Sequence, residues 1–440
     1  MEMSARAVAF KVLKDAGRDG AYSNIAVDNA LRRYELSEAD KGLLTVIVMG
    51  VTERRLTLDH IIDRLASAPE RIDSDTRVLL RMGIYQMVFL DKIPEYAAIN
   101  ETVELAPRRS RGFVNGVLRS LQRKLHGEGL DSLLPDAEAD GAEYMSVKYS
   151  MPRDVCERFI GIYGSERARR IFDVFNKPPR LTLRINTLKI SREQYAELLE
   201  DRGIAFELSD RLDGAILLEN VSFSSLPGFD EGYFFVQDEA SQMCVEAIGA
   251  QAGDVVIDCC SCPGSKSFGM AINMQNAGKI YSFDLHESKL SLIEKSAQRL
   301  GIDIISAAKR DARRPDGTLF ECADRVLCDV PCSGLGVMAK KPEIRYKSVS
   351  EFARLPEIQR DILKNSAKYV KRGGILVYST CTVLPEENAE NVEAFLASNG
   401  EFEAVDFSVG GKESQGGMLS LAPDTDGTDG FFIAKLKRRE

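Results

Sequence analysis

Two cysteines in separate short motifs are the residues of this chain best suited to covalent chemistry. Cys332 lies in Asp-Val-Pro-Cys-Ser-Gly at residues 329–334, and Cys381 lies in Ser-Thr-Cys-Thr at residues 379–382. A thiolate is a soft nucleophile that adds to an electron-poor ring, and it is far more reactive than the neutral thiol. Two such motifs downstream of a nucleotide-type turn indicate an enzyme that attacks a base and alkylates it.

The turn lies at residues 258–267 and reads Asp-Cys-Cys-Ser-Cys-Pro-Gly-Ser-Lys-Ser. A P-loop is rejected because Ser265 separates Gly264 from Lys266, and a dinucleotide fingerprint is rejected because only one of its three glycines is present. The turn begins with an acid, Asp258, which suits a cationic ligand better than a pyrophosphate.

Aspartates lie at or just beyond the ends of four predicted strands: Asp258, Asp284, Asp311 and Asp329. Asp284 lies twenty residues beyond Gly264, close to the spacing at which an acid accepts a ribose hydroxyl. Asp311 is placed to accept from an adenine amino group, and an adenosyl ligand that carries positive charge is S-adenosylmethionine. Aspartates also cap helices, so an unrelated parallel-sheet enzyme with capping acids stays open as an alternative here.

The composition is that of a soluble globular chain, with 44% hydrophobic and 28% charged residues over a length of 440, which predicts two or three domains. The nine cysteines cluster toward the carboxyl terminus and indicate reduced thiols rather than a secreted disulfide scaffold. No apolar run has the length of a membrane span, and the first residues lack the apolar core of a signal peptide, so we expect a cytoplasmic protein.

The net charge of −9 taken alone argues against a nucleic-acid partner, but the charge is unevenly distributed. Residues 106–126 carry six basic side chains and no acidic one. A second basic set lies between Arg158 and Lys189. Either run alone is most simply a solvated helix face, whereas the two together predict a local footprint for nucleic acid.

Hydrophobic periodicity divides the chain into three parts joined by a linker. Residues 1–126 have helical spacing, residues 127–144 are acidic and glycine-rich like a linker, and residues 145–236 mix both periods as an α+β module. In that module residues 153–175 are predicted to be helical and residues 181–187 to form a strand. Residues 237–440 alternate strand, turn and helix, which predicts a doubly wound sheet that binds its ligand at the carboxyl ends of the strands.

The cysteine motifs and the turn resemble the signature blocks of the Nol/Nop/Sun family of RNA cytosine-5 methyltransferases. Residues 237–241 and 183–187 resemble two further blocks of that family, and residues 99–104 are similar to the RNA-binding domain of antitermination factors. The resemblance covers nearly the whole chain. It implies an all-α antitermination-factor-like domain, a small α+β RNA-recognition module and an α/β Rossmann-like methyltransferase domain. Such a fusion is typical of bacterial enzymes that act on small-subunit ribosomal RNA.

The resemblance also implies an activity and its residues. The enzyme would transfer a methyl group from S-adenosylmethionine to carbon 5 of a specific cytosine in 16S ribosomal RNA, through a covalent adduct with Cys381. Cys332 would assist proton removal and release, and Asp329 would contact the base and the cofactor region. The residues expected to hold the cofactor are Cys260, Ser261, Cys262, Pro263, Gly264, Ser265, Lys266, Asp284, Asp311 and Asp329. Those expected to contact RNA are Arg108, Arg109, Arg111, Arg119, Arg184 and Asn186. The expected protein is a monomer that binds no metal and no membrane.

Two departures from the family pattern affect the turn. Ser265 replaces a glycine, and a positive φ there would cost on the order of 1 kcal/mol or more. Cys259 and Cys262 form a Cys-x-x-Cys that could bind zinc or act in redox chemistry, but no second pair with matching spacing is present. Small buried packing is the simpler role for these thiols.

Two rival functions remain from the sequence. The first is a DNA cytosine-5 methyltransferase, in which Cys332 would be the attacking thiol and Cys381 incidental. The second is a non-catalytic RNA-binding or ribosome assembly factor built on a decayed methyltransferase fold. Retention of both cysteines, four strand-end aspartates and Lys266 argues against the second.

Overall fold

A computed structural model describes residues 3–19, 23–219, 221 and 223–440, and the chain divides into two compact units. Unit 1 comprises the residues up to Lys177 together with Met338–Val349. Unit 2 comprises Pro178–Val337 and Ser350–Glu440. No helix in the described part of the chain combines the length and apolar character needed to cross a bilayer.

Unit 1 is built from helices, as the periodicity predicts. The helices are α1 (Ala5–Asp19), α2 (Ser23–Arg33), α3 (Glu38–Glu53), α4 (Arg55–Leu65), α5 (Ser74–Phe89), α6 (Glu95–Leu105), α7 (Arg111–Gly127), α8 (Gly141–Tyr149), α9 (Arg153–Tyr163) and α10 (Ser165–Phe175). Ser37 and Asp73 cap the first turns of α3 and α5 by accepting from backbone amides, which satisfies donors that a helix start leaves unpaired. The central helix α5 buries residues on several sides, including Leu79, Leu80 and Ile84, and the core of the bundle packs around it.

One segment of unit 1 differs from the sequence-based expectation, and a second agrees with it. Residues 127–144, predicted as a linker, contain the short 3-10 helix Leu130–Leu133 and the start of α8, and Leu133 is buried in the core of the bundle. Residues 153–175 are helical as predicted, and the stretch divides into two helices at Gly164, whose φ of 76° glycine adopts without steric cost. The domain boundaries themselves stay predictions.

The inserted segment Met338–Val349 is fixed in unit 1 by a fully buried guanidinium. Arg345 donates to Asn176 Oδ1 at 2.8 Å and to the backbone carbonyls of Phe175 and Met338 at 3.2 and 3.3 Å. A buried charge is tolerated only where such partners replace water. The chain therefore leaves unit 2 six residues after Cys332, packs in unit 1, and returns.

Unit 2 contains a small antiparallel sheet and a large mixed sheet. The small sheet has the order β2-β3-β1-β4, with strands β1 (Leu181–Ile185), β2 (Glu207–Leu208), β3 (Ala215–Leu218) and β4 (Phe234–Val236), and α11 (Arg192–Glu200) follows β1 in the chain. Ser191 and Gln194 form a reciprocal capping box at the start of α11. The predicted α+β module is present, with its core between this sheet and α11.

The large sheet has the order β10-β14-β9-β8-β5-β6-β7, with β13 added beside β14. Its strands are β5 (Val255–Asp258), β6 (Lys279–Asp284), β7 (Ile305–Lys309), β8 (Ala323–Asp329), β9 (Val370–Thr380), β10 (Phe402–Ala404), β13 (Met418–Leu421) and β14 (Phe431–Arg438); β11 (Ser408–Val409) and β12 (Lys412–Glu413) form a separate pair. The remaining helices are α12 (Glu239–Ile248), α13 (Ser265–Asn273), α14 (Glu287–Leu300), α15 (Val349–Phe352), α16 (Leu355–Ser366), α17 (Ala389–Ser398) and α18 (Pro423–Asp426).

Strands β7, β6, β5, β8 and β9 are parallel, while β14 runs antiparallel to β9. The chain order moves outward from β5 in one direction through β6 and β7, and in the other direction through β8 and β9. The crevice beside β5 and β8 is therefore the topological switch point, where open α/β sheets bind their ligands. This confirms the predicted Rossmann-like architecture and places the carboxyl ends of β5, β8 and β9 at one edge.

Candidate active site

The two cysteine motifs meet because β8 and β9 are neighbouring parallel strands. Their register pairs Asp329 with Ser379, so each motif continues from the same level of the sheet. Cys332 Sγ and Cys381 Sγ then lie 3.3 Å apart. Gly336 N donates to the Cys381 carbonyl at 3.0 Å, which holds the two loops together behind the thiols. The sequence separation of 49 residues is thus closed by strand pairing.

Asp329 joins three segments at this point. Its Oδ1 accepts from Ser379 Oγ at 2.8 Å, and its Oδ2 lies 2.6 Å from Lys266 Nζ. Charge-assisted contacts of this length are the stronger kind of hydrogen bond. The carboxylate therefore links the end of β8 to the end of β9 and to the first turn of α13.

Lys266 keeps its positive charge in a buried position. Burial, the largest single influence, lowers the pKa of the Lys266 ammonium, but the negative charges of Asp329, Cys244 and Cys381 together raise the net pKa. Negative charge on Cys381 also favours the ammonium, which places the two groups within electrostatic reach.

The turn after β5 forms without the strain that the Ser265 replacement raised as a possibility. Gly264 has the positive φ, at 107°, and Ser265 is the first residue of α13, outside the left-handed region. Ser261 donates through both its amide and its hydroxyl to the Phe283 carbonyl, at 2.8 and 3.0 Å. Glycine thus stands where the backbone requires it, and serine one residue later is compatible with the helix.

Two acids accompany this turn. Asp258 is 1% exposed, and its Oδ2 accepts from Ser267 Oγ at 2.7 Å. Burial raises the pKa of Asp258 to about 7, although the Ser267 hydrogen bond acts in the opposite direction. Asp284, at the end of β6, accepts from the amides of Cys262 and His286 at 3.4 and 2.8 Å. Carboxylate acceptors beside a single-glycine turn fit a cationic adenosyl ligand better than a phosphate.

Asp311, which was expected to accept a hydrogen bond from an adenine amino group, forms an ion pair with Arg313. Arg313 Nε and Nη2 donate to its two carboxylate oxygens at 2.9 and 2.8 Å, and these contacts lower the pKa of Asp311. Both oxygens therefore already have a strong partner. Contact with an adenine amino group would require a shared acceptor or a movement of Arg313.

Two residues predicted to contact RNA are buried structural groups in this fold. Arg184 is 5% exposed and donates to Glu246 and Asn273 at 2.9 and 2.7 Å. Asn186 is fully buried and donates to the carbonyls of Gly232 and Leu300. These contacts tie β1 and the residue that follows it to α12, α13 and the end of α14, and they occupy the side chains of Arg184 and Asn186. The expectation fails because sequence alternation does not reveal which strand face a neighbouring element covers.

The other predicted RNA contacts lie at the start of α7 and just before it. Arg108, Arg109 and Arg111 are exposed, and Arg119 is partly buried. Arg111 donates to the carbonyls of Ala106 and Glu104, which orients its guanidinium at the helix start. These side chains are accessible on unit 1, as a phosphate-binding role requires.

A buried carboxylate behind Cys332 was missed at the sequence level. Glu387 lies in the 3-10 turn Pro385–Glu387 and accepts from the Ser333 amide and from Gln359. A Glu-Glu-Asn tripeptide that follows a cysteine motif carries no recognised chemical signal by itself, and only the packing reveals the contact.

The remaining cysteines form no metal centre among the residues described. No group of three or more His, Cys, Asp or Glu side chains there is placed to hold an ion. Cys259 is buried at the end of β5, and Cys262 is partly buried in the turn. Cys259 belongs to one hydrophobic core cluster, and Cys262 packs against another.

Comparisons with known proteins give the same three-part division. Residues 3–123 match the NusB family, residues 151–222 match the ferredoxin-like domain of RsmF/B-like methyltransferases, and residues 245–437 match the 16S rRNA methyltransferase RsmB/F family. The probable ribosomal RNA small subunit methyltransferase B of Bacillus subtilis is 37% identical, with 99% of each chain covered. Its counterpart in Synechocystis is 35% identical and covers 99% of this chain and 100% of the relative.

This chain belongs to the RsmB/F methyltransferase family. Among solved structures, that of PH0851 aligns with a TM-score of 0.82 and 25% identity over 100% of both chains. A methyltransferase homologue from Pyrococcus horikoshii aligns with a TM-score of 0.60 and 28% identity, covering 68% of this chain and 99% of the other. NSun6 from the same organism, solved with SFG, shares the fold with a TM-score of 0.60 at 23% identity over 66% of this chain and 98% of the other.

Proposed function

We propose that this RsmB/F family member transfers a methyl group from S-adenosylmethionine to carbon 5 of a specific cytosine in 16S ribosomal RNA. The observation that carries the proposal is the 3.3 Å approach of Cys332 Sγ to Cys381 Sγ beside the Lys266–Asp329 pair. The relatives are named as methyltransferases of small-subunit ribosomal RNA, which supports that RNA as the substrate. The two thiols support cytosine as the target base, because one can attack the ring and the other can assist release.

Carbon 5 of cytosine is a weak nucleophile until the Cys381 sulfur adds to the neighbouring carbon 6. Bond formation between Cys381 Sγ and carbon 6 pushes electron density onto carbon 5, which then accepts the methyl group. Loss of the carbon 5 proton and breakage of the carbon 6–sulfur bond restore the ring and return Cys381 as a thiolate. One group must attack and another must take the proton, which is the task of a general base.

The environment favours Cys381 as the attacking group. Lys266 is a buried cation within electrostatic reach of this thiol, and a nearby cation increases the fraction of thiolate. Asp329 fixes the ammonium from the opposite side through the contact at 2.6 Å. The carboxylate lies three residues before Cys332 in the chain, and it would hydrogen-bond the exocyclic amino group of a bound cytosine.

Cys332 is suited to the later step. Its hydrogen bond to Cys381, its burial and the negative charge of Cys381, Glu387 and Asp329 all raise the pKa of the Cys332 thiol. A thiol with a raised pKa is a poor nucleophile in the ground state, but its thiolate is a strong base. To accept the carbon 5 proton, Cys332 must first give up its own proton, which passes to water. Its thiolate then takes the carbon 5 proton and becomes the neutral thiol again while Cys381 leaves.

The residues around the single-glycine turn would hold the cofactor. These are Cys260, Ser261, Cys262, Pro263, Gly264, Ser265, Lys266 and Asp329, with Asp284 beside them and Asp311 beyond the next strand. When bound, S-adenosylmethionine supplies an electrophilic methyl group. The acids of this region would orient its positively charged portion, and Asp284 offers carboxylate oxygens at the end of β6 for a ribose hydroxyl.

The RNA substrate would be bound partly by unit 1. Arg108, Arg109, Arg111 and Arg119 carry no acidic neighbour between residues 106 and 126, which favours phosphate contact. Cys381 is partly buried, and a base must leave its stack to reach it, so a loop or a partly unfolded segment is the expected target. A monomer acting in the cytoplasm is the simplest form of this enzyme.

Methylation of ribosomal RNA with and without the protein tests the proposal. Bisulfite mapping of 16S RNA from cells that lack the protein should show one cytosine that has become unprotected. Restoration of the gene should return the modification, and a Cys381→Ser gene should not. Full modification by the Cys381→Ser enzyme would contradict the proposed chemistry.

A further inference from the structure

Glu387 is a buried carboxylate immediately behind the loop that carries Cys332. It is 1% exposed, and it lies six residues after Cys381 in the 3-10 turn that follows β9. Burial raises the pKa of Glu387, while hydrogen bonds from Ser333 and Gln359 lower it in part. A buried carboxylate destabilises a fold unless hydrogen bonds offset its lost hydration. The hydrogen bonds that offset the lost hydration of Glu387 come from Ser333 and Gln359.

The contacts of Glu387 fall on both sides of Cys332. Oε2 accepts from the Ser333 amide at 2.9 Å and from Gln359 Nε2 at 2.7 Å. The same Gln359 amide donates to the Pro331 carbonyl at 3.0 Å. The peptide groups before and after Cys332 are therefore both fixed, one directly and one through Gln359. Glu387 thus contributes to fixing the backbone on both sides of Cys332.

A second set of contacts ties this arrangement to the Cys381 loop. Ser333 Oγ and Thr382 Oγ1 lie 2.7 Å apart, so the residues that follow the two thiols are joined by a hydrogen bond. Tyr378 OH donates to the Glu387 carbonyl at 2.6 Å. Glu387 thus belongs to a network that connects both thiol-bearing loops through its Oε2 and its backbone carbonyl, while its buried Oε1 accepts no hydrogen bond from the described residues.

We propose that Glu387 is a positioning residue for the release step of the methyl transfer, because it holds the Pro331–Ser333 loop so that Cys332 reaches the carbon 5 proton. The inference rests on the proposed function, in which Cys381 attacks and Cys332 enables release. Glu387 touches neither RNA nor cofactor in this role. Its effect passes through the backbone on either side of Cys332.

The role predicts a signature that general destabilisation does not produce. Attack by Cys381 needs no contact with Glu387, so the first turnover should proceed when the carboxylate is removed. Release needs Cys332 in place, and misplacement of a reacting group by about 1 Å can slow a step roughly 100-fold. The covalent protein–RNA adduct should therefore accumulate rather than disappear.

The experiment compares two substitutions of the full-length protein. Glu387→Ala removes both hydrogen bonds, whereas Glu387→Gln keeps an acceptor oxygen for Ser333 and Gln359 and removes the charge. Denaturing gels with labelled 16S RNA and S-adenosylmethionine measure the adduct, and rapid-quench methyl transfer measures the first turnover. We expect adduct accumulation and release slowed roughly 10- to 100-fold in Glu387→Ala. Glu387→Gln should stay within about threefold of wild type, and exposed Glu390→Gln should match wild type.

A second variant covers a failure of Glu387→Ala to fold. Gln359→Met removes the bridge between Glu387 and the Pro331 carbonyl while it retains side-chain length, and it should also accumulate adduct. Wild-type adduct levels in folded Glu387→Ala or Gln359→Met would overturn the positioning role. So would a release rate in Glu387→Gln as slow as in Glu387→Ala, since the hydrogen bonds survive there.

Two reference variants separate this inference from the proposed function. Cys381→Ala should form no adduct, and Cys332→Ala should accumulate it. If those two behave as expected while Glu387→Ala does not, the positioning role fails and the mechanism stands. Methyl transfer by Cys381→Ala would instead contradict the mechanism itself.

Discussion

Lys266 Nζ lies 2.6 Å from Asp329 Oδ2, and this ion pair joins the first turn of α13 to the end of β8 at the sheet's switch point. Ser379 Oγ holds the other carboxylate oxygen, so the end of β9 is included. The Asp329 carboxylate thus connects three segments of the chain. These segments carry the two thiols and would bind the cofactor and the target base. The predictions that follow begin with this pair.

Removal of the Lys266 charge should cost both stability and activity. In Lys266→Met the Asp329 carboxylate loses its cation, and an uncompensated charge in a largely buried site typically costs about 3 kcal/mol. Loss of the cation beside Cys381 should reduce single-turnover methyl transfer about 100-fold or more. Denaturant titration and rapid-quench assays measure the two effects.

A double variant separates these effects. Lys266→Met with Asp329→Leu removes both charges, so it should recover much of the lost stability and none of the activity. Recovery of methyl transfer in the double variant would show that the ion pair serves only the fold.

The two cysteines should give opposite results when they are replaced one at a time. Cys332→Ala should stall as a covalent RNA adduct because attack survives and proton removal does not. Cys381→Ala should form no adduct because the attacking sulfur is gone. Gel-shift analysis under denaturing conditions distinguishes the two outcomes. The reverse pattern would assign the attack to Cys332, as in the DNA cytosine-5 methyltransferase alternative.

Asp258 should make the unliganded protein less stable as pH rises from about 4 to 7. Its carboxyl has a pKa raised to about 7 by burial, whereas the unfolded chain ionises near 3.9. Between these values the folded state binds more protons than the unfolded state, so the free energy of unfolding falls with increasing pH. Above pH 7 the Asp258 carboxyl is ionised in both the folded and the unfolded state, so it no longer changes the free energy of unfolding with pH.

The Asp258→Asn variant tests this dependence. Asparagine keeps an acceptor for Ser267 and does not ionise, so its stability relative to wild type should increase between pH 5 and pH 8, by on the order of 2 kcal/mol. Denaturant midpoints of the two proteins at both pH values give the difference, in which the other titrating groups cancel. Parallel pH profiles would contradict a raised pKa at this position.

The basic residues at the start of α7 should contribute to RNA affinity through charge. Substitution of Arg108, Arg109 and Arg111 by Gln should weaken binding and reduce the slope of log affinity against log salt by about 2 to 3, since each phosphate contact contributes about 0.7 to 0.9. Filter binding over a range of salt concentrations measures both quantities.

A matched control removes three exposed arginines elsewhere in unit 1, namely Arg32, Arg64 and Arg71. This control has the same net charge as the first variant. If both proteins lose the same affinity and the same salt dependence of affinity, the effect comes from net charge and not from a binding site at α7. An unchanged affinity in the α7 variant would identify this stretch as a solvated helix face.

The sequence motifs predicted the residues proposed to react better than they predicted the residues packed around them. Cys332, Cys381, Asp329 and Lys266 were identified from motif spacing, and strand pairing brings all four together. Residues of separate motifs lie together here because parallel strands of adjacent register deliver the residues that follow them to one edge, while the catalytic roles of these residues stay predictions.

Residues whose role depends on packing were not predictable in the same way. Arg184 and Asn186 occur in a block that resembles an RNA-binding module, yet both are buried against α12, α13 or the end of α14. Glu387 follows a cysteine motif with no chemical signature of its own, and its contact with Ser333 spans 54 residues of chain. Such roles depend on which distant element covers a side chain.

The sequence by itself predicted an all-α domain, a small α+β module and a Rossmann-like domain, and it identified the two thiols. Tertiary structure alone decided that Gly264 rather than Ser265 has the left-handed φ, that Asp311 is engaged by Arg313, and that a carboxylate at 387 holds the loop of Cys332. The reason is physical: residue type and local spacing set intrinsic reactivity and periodicity, whereas burial and long-range hydrogen bonds exist only after distant segments have packed.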